Sequence, residues 1–238
     1  MGQAIFITGT DTGVGKTFFT AGLARWLKSC GYSVGVMKPA ETGCSPRDGE
    51  LFPEDAWQLK QAAECAEPIE KICPYRLPEP LAPSIAAERA GVKIDIDHVL
   101  AGLDAIKSAH DITLVKGAGG LMVPLLPSYT FADFARVAKL PVIVVAANKL
   151  GVINHLLLTL EHASCQGFTL LGYVLNRLSD DASLAADTNR EVLSGLTGVG
   201  CLGELPFLSG GAPTVELADV FAAELDLRTI ELFIGRSQ

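Results

Sequence analysis

The stretch Gly9-Thr-Asp-Thr-Gly-Val-Gly-Lys16-Thr17 constrains this 238-residue chain more than any other. It follows an apolar run, Ala4-Ile-Phe-Ile-Thr8, and precedes a helical pattern from about Lys16 to Ser29. A strand, a glycine loop and a helix in that order wrap backbone N–H groups around phosphate oxygens and set the positive end of a helix behind them. In that arrangement Lys16 reaches the β- and γ-phosphates and the Thr17 hydroxyl reaches Mg2+. The spacing is G-x5-G-K-T rather than the usual G-x4-G-K-T. Thr10 stands where the first glycine is expected, and Gly9 lies one residue earlier. The bland alternative is an ordinary glycine-rich strand–helix turn; Gly-Lys-Thr in this structural place favours a nucleotide.

Beyond the loop, apolar runs alternate with helical patterns. Ser33–Met37, Asp111–Val115, Pro141–Val145 and Leu170–Leu175 read as further strands. Helical patterns cover Asp55–Glu64, Asp97–Ala109, Phe131–Ala138, Ile153–Gln166 and Ala182–Ser194. Continuous Val/Ile/Leu runs suit strands covered on both faces. Their alternation with helices predicts right-handed crossovers and a parallel sheet. The expected fold class is α/β, a P-loop NTPase-like parallel sheet with helices on both faces. Cys73–Pro83, with four prolines, reads as an ordered loop, and no linker divides the chain, so residues 1–238 are expected to form a single domain.

Composition excludes several classes. With 49% hydrophobic and 19% charged residues the chain can build a sizeable core. The net charge is −8 and no run of Lys and Arg forms a stripe, so nucleic acid is not an expected partner. The longest apolar run, Leu140–Ala147, is too short to span a bilayer, and Met1-Gly2-Gln3 opens no secretory leader. Six cysteines without a CxxC pair argue against thiolate metal ligation and suit a reducing cytoplasm.

The base follows from what is missing. Asn148-Lys149-Leu150-Gly151 imitates the guanine-reading N-K-x-D tetrapeptide but lacks the Asp, which argues for adenine. Asn176, at the end of a strand pattern, could pair with the N6 and N7 edge of adenine; on local pattern alone it is equally a turn residue.

With Lys38-Pro39-Ala40-Glu41-Thr42-Gly43, Asp55-Ala56, Gly117-Ala-Gly-Gly120, Thr130-Phe-Ala-Asp133, Lys149-Leu-Gly-Val-Ile-Asn-His155, Asn176 and Gly203-Glu-Leu-Pro-Phe207 added to the loop, the chain closely resembles the dethiobiotin synthetase family. The likeness runs from Ile5 to about Phe207, includes the five-residue gap in the loop, and owes little to the tail after Ser209. The resemblance implies a homodimeric ligase that uses ATP, Mg2+ and CO2 to close a ureido ring on 7,8-diaminopelargonate, through a carbamate and a carbamic–phosphoric anhydride. It implies that Gly13, Val14, Gly15, Lys16, Thr17, Phe18, Asn176 and Pro206 surround the nucleotide. Thr12, Lys38, Thr42, Ala118 and Gly119 would lie beside the reacting part of the substrate, with Lys16, Lys38 and Thr12 as the catalytic set. Gly151, Val152, Ile153 and Asn154, opening a helix, would hold the carboxylate tail of a substrate bound across the dimer, as helix N-termini hold anions. Thr17 and Asp55 would hold Mg2+. Taken singly, Lys38 is also a solvated strand-end lysine, the threonines turn residues, His155 plain packing, and Asp55 the N-cap of a helix starting at Ala56.

One position departs from the family. Where a glutamate that ligates Mg2+ is expected before Gly-Ala-Gly-Gly, this chain has Lys116. A charged ammonium offers three donors and no acceptor. Beside a divalent ion it adds repulsion on the order of several kcal/mol. Three outcomes are open: Lys116 contacts phosphate in place of metal charge, the chain is a low-activity copy that still binds nucleotide, or the strand end shifts and Lys116 points away. Retained ATP binding with weakened Mg2+ affinity is the favoured reading. Two other readings compete with the ligase. A partitioning-type switch ATPase needs a lysine five residues before Lys16, where this chain has Asp11. A disabled relative acting as a nucleotide-binding interaction module is recommended by Lys116 alone.

Overall fold

The computed structural model describes residues 2–180, 183–208 and 214–235. Six strands, β1 (Gln3–Gly9), β2 (Val34–Met37), β3 (Ile112–Lys116), β4 (Val142–Ala147), β5 (Leu170–Asn176) and β6 (Cys201–Leu205), make one sheet in the order β6-β5-β4-β1-β3-β2. Every pairing in it is parallel. The helices are α1 (Lys16–Ser29), α2 (Glu54–Ala63), α3 (Pro83–Arg89), α4 (Ile96–Ala109), α5 (Phe131–Val137), α6 (Val152–Cys165), α7 (Leu184–Leu196), α8 (Thr214–Glu224) and α9 (Arg228–Ile234), with one further turn at Ile69–Ile72.

Alternation along β1 builds a core on each face of the sheet. Ile5 and Ile7 pack with Phe19, Leu23 and Leu27 of α1 and Leu59 of α2. Ala4 and Phe6 pack on the opposite face with Ile106 of α4, Phe131 and Phe134 of α5, and Leu156 of α6. Most of these side chains are fully buried, and each contributes about 1.5–3 kcal/mol of transfer free energy. The parallel order puts all six strand carboxyl ends on one edge, where α/β sheets place their ligands. That edge carries the glycine loop after β1, Lys38 after β2, Lys116 at the end of β3, Asn148 after β4, Asn176 at the end of β5 and Pro206 after β6.

The sheet and α1 match the sequence reading, with shifts of a residue or two at most ends. Three expectations fail. Cys73–Pro83 is not only a loop: Tyr75–Leu77 pairs parallel with Ala40–Thr42, and Pro83 opens α3. A proline at the first helical position loses no hydrogen bond and is pre-set for the helix, which is the physical reason. β6 was not read as a strand. The tail after Ser209, to which the resemblance owes little, is also structural. Phe221 of α8 is fully buried against Phe18 and Phe19, and Ile230 of α9 is fully buried. A side-chain carbon at Gly22 would overlap the Phe221 ring, so α1 and α8 can meet only over that glycine. Ala182, the expected start of α7, lies outside the described residues; α7 begins at Leu184, behind the Ser183 N-cap.

Candidate active site

A cleft of about 1260 Å3 opens along the strand carboxyl ends. Of the sequence-predicted residues, Thr12, Gly13, Gly15, Lys16, Thr17, Phe18, Lys38, Thr42, Asp55, Lys116, Ala118 and Gly119 line it. The loop from Gly9 to Gly15 forms one wall and α1 leaves its base. Gly15 sits at φ 92° as the N-cap of α1, and a side-chain carbon there would overlap the Asn176 amide. Glycine is required at that point by conformation and by space.

Lys16 is 6% exposed, and its Nζ donates to the Asp11 carbonyl at 2.6 Å. Burial first, and then the neighbouring Lys38, bring its pKa down to about 8. Lys38 is 3% exposed and donates to Asp55 Oδ2 at 3.0 Å and to the Gly117 carbonyl at 3.2 Å. Burial opposes its charge, but Asp55 outweighs that and holds its pKa above the usual lysine value. Lys116 points into the cleft and donates to the same Asp55 Oδ2 at 2.6 Å. Burial and the Lys38 ammonium press its pKa well below the usual value. The Thr17 hydroxyl donates to Asp55 Oδ1 at 2.6 Å. Asp55 is therefore the hub. Burial would raise its pKa, yet Lys38 and Lys116 prevail and hold it well below the carboxylate range.

The structure separates the two readings of Asp55. α2 begins at Glu54 behind an N-cap at Pro53, so Asp55 is not the cap. The capping carboxylate is Glu41, whose two oxygens accept the backbone N–H groups of Asp55 and Ala56 at 2.8 and 3.0 Å. Burial raises the Glu41 pKa even so. Sequence reasoning gave Glu41 no role. It acts across 14 residues, a separation with no local signature. Arg25, Gln58 and Gln61 extend the cleft toward the α1–α2 end and were also not foreseen.

Other expected residues lie elsewhere. Lys116 does not point away, so that outcome is excluded. Val14 is buried behind the loop. Asn176 is 3% exposed and its Nδ2 donates to the Val14 carbonyl at 3.1 Å, so here the amide braces the loop. Pro206 is half-buried beyond β6. Gly151 takes a left-handed conformation at the start of α6, followed by buried Val152, half-buried Ile153 and exposed Asn154. None of these four lines the main cleft; Val152 and His155 instead border a small recess against Thr10–Val14. Asn148 is absorbed by structure: it donates to the Ala186 carbonyl and to Glu204, and accepts from Asn189.

The oxygen donors that a divalent metal would need here are already engaged. Asp55 already receives two ammonium groups and a hydroxyl, and both Glu41 oxygens are used by backbone. Among the described residues no group of three or more His, Cys, Asp or Glu side chains could hold a metal. The residues present fit Mg2+ poorly. No helix among the described residues is long and apolar enough to cross a membrane.

A six-stranded parallel sheet with a glycine loop, a buried lysine and a threonine at the start of α1 defines the class of P-loop nucleotide-binding proteins. Solved structures bear out the fold alone. The chain is similar to the septum site-determining protein MinD complexed with Mg-ADP from Pyrococcus horikoshii OT3 (TM-score 0.60, 18% identity, 93% of each chain). It is also similar to cobyrinic acid a,c-diamide synthase from Mycobacterium smegmatis with bound ADP and magnesium (TM-score 0.57, 14% identity, 94% of each chain). Residues 3–213 match the family described as AAA domain. The chain is 40% identical over 218 residues to the ATP-dependent dethiobiotin synthetase of Thermodesulfovibrio yellowstonii, covering 88% of this chain and 90% of the relative. It is 42% identical over 206 residues to that of Anaeromyxobacter sp. strain Fw109-5, covering 83% and 91%. The chain belongs to the ATP-dependent dethiobiotin synthetase family, a family of ligases.

Proposed function

We propose that this chain closes a ureido ring: 7,8-diaminopelargonate, CO2 and ATP give dethiobiotin, ADP and phosphate. The observation that carries the reading is the meeting of Lys16, Lys38, Thr12, Thr42 and Gly119 in one cleft beside the phosphate loop, in a chain of this family. One amine adds to CO2 and loses a proton, giving a carbamate. A carbamate oxygen attacks the γ-phosphorus and ADP leaves. The second amine attacks the carbonyl carbon of the resulting anhydride, phosphate leaves, and the ring is closed.

Charge develops on the phosphoryl oxygens during transfer, so fixed cations and N–H donors carry the catalysis. Lys16 exchanges the Asp11 carbonyl for the β- and γ-phosphates. Lys38, held by Asp55 and the Gly117 carbonyl, stands beside the carbamate and offsets its charge. The hydroxyls of Thr12 and Thr42 orient the carbamate and phosphate, and the backbone at Ala118 and Gly119 packs against the substrate. Gly13, Val14, Gly15, Thr17 and Phe18 hold the nucleotide, and Asn176 and Pro206 border its base. Gly151, Val152, Ile153 and Asn154 take the substrate carboxylate across a homodimer interface, which accounts for their distance from the cleft of their own chain. Thr17 and Asp55 are already paired with each other and with two ammonium groups, so no step above is assigned to Mg2+. The activity belongs in the cytoplasm.

The test is phosphate release with ATP, bicarbonate and 7,8-diaminopelargonate, each omitted in turn. Release that needs all three supports the reading. Release independent of the diamine overturns it.

A further inference from the structure

Lys116 is a buried cation of the cleft to which the proposed chemistry gives no task. It is 3% exposed, at the carboxyl end of β3, the strand that pairs with β1. Its Nζ lies 2.6 Å from Asp55 Oδ2, while Asp55 Oδ1 takes the Thr17 hydroxyl at 2.6 Å. Thr17, Asp55 and Lys116 thus form one chain across the floor of the cleft, beside the loop that curls around phosphates.

In P-loop proteins the hydroxyl after the loop lysine and an acidic side chain together hold the metal that bridges the phosphates. Here those two oxygen groups face each other, and an ammonium already occupies the carboxylate. Lys38 lies 3.0 Å from the same oxygen. A divalent ion at this point would have to displace Lys116 or share one carboxylate with two ammonium groups, against like-charge repulsion in a partly buried site. An ammonium, by contrast, is a compact charge with three donors, and phosphate oxygens accept it readily.

We propose that Lys116 is a built-in cation of the phosphate site that takes over part of the charge neutralisation of a divalent metal, so that this chain binds ATP with little dependence on magnesium. The proposal rests on the nucleotide reading of the loop and goes beyond it. It assigns Lys116 a ligand, the phosphate chain, rather than a purely structural partner in Asp55.

The test is titration calorimetry of ATP in saturating magnesium and in excess EDTA, with melting curves to check that each variant is folded. For the unaltered protein the two dissociation constants should agree within about threefold. Lys116→Glu should bind at least about tenfold more weakly in EDTA than in magnesium. Lys116→Met, which keeps length without charge, should bind about tenfold more weakly than the unaltered protein in both conditions; should the Glu variant not fold, this one decides. Equal magnesium dependence in the unaltered protein and Lys116→Glu overturns the proposal. So does Lys116→Met with unchanged affinity, since a side chain that merely tethers Asp55 would change melting and not binding. Tight, magnesium-requiring ATP binding with intact ring closure removes this inference alone. No ATP binding in any condition removes the nucleotide reading as well.

Discussion

Two polar clusters lie along the same edge of the sheet, and they differ in how their charges close. On the β1–β3 side, Lys38 and Lys116 share a single hub, Asp55, while Lys16 rests on the Asp11 carbonyl and Glu41 is spent on the start of α2. On the β4–β6 side, Asn148, Asn189, Arg177, Glu204 and Asp187 satisfy one another and join strands to α7. The first cluster holds more cations than the protein neutralises, and it opens into the cleft. The second is paired within itself, with Arg177 and Asp187 at its exposed end. Buried polar groups that are fully paired build structure, whereas an unbalanced set is poised for a ligand of opposite charge.

Substitutions can break this contrast. The largest effect is expected from Lys16→Ala, which should lower the rate of phosphate release by about 10²–10³-fold, the usual loss on removing one preorganised donor. Its melting temperature should hold or rise, because a desolvated ammonium is removed; an unfolded variant would place Lys16 in the structural class instead. Next, Asp55→Asn leaves Lys38 and Lys116 without their carboxylate and should cost about 3 kcal/mol in denaturant unfolding, the lower end for breaking a buried pair because Asp55 is only partly covered. The effect has a pH signature. Asp55 has its folded pKa held below the unfolded one, so its stabilising contribution is present above the ordinary carboxylate range and fades as the pH falls through the folded value. Asp55→Asn should lose that acid-side slope.

On the other side, Asn148→Ala should cost about 1–3 kcal/mol by stranding its buried partners, and should leave ATP affinity unchanged by calorimetry. Weakened ATP binding there would erase the distinction between the clusters. The smallest effect concerns alkaline pH. The folded Lys16 pKa is about 8, below the ordinary lysine value of 10.5, so between these values the unfolded chain holds a proton that the folded one has released. Stability should therefore rise with pH across that window, a slope read from melting temperatures and absent in Lys16→Met.

The first cluster was partly legible in sequence, and the reasons are local. The glycine loop, Lys16 and Thr17 are contiguous, so the local pattern carries the site. Lys38 and Asp55 were reached through resemblance, since each alone has an ordinary surface explanation. Glu41 was missed because capping from 14 residues away leaves no pattern. In the second cluster, Asn148 opens a stretch that imitates a base-reading tetrapeptide but lacks its Asp, and it ties β4 to α7 and β6. For the fold, continuous apolar runs marked five strands of the sheet. Cys201–Leu205 escaped because a glycine interrupts so short a run, and Tyr75–Leu77 because prolines flank it.

The contact between Gly22 and Phe221 reaches further than packing. Position 22 is followed almost at once by the wall of the cleft, to which Ala21 and Arg25 of α1 and Leu217 of α8 all contribute. A methyl group at 22 would push α8 off α1 and carry Leu217 with it. The two positions, nearly two hundred residues apart, are thus coupled in space: a larger residue at the first calls for a smaller ring at the second. The far end of the sequence is seated by the same helix that leaves the phosphate loop.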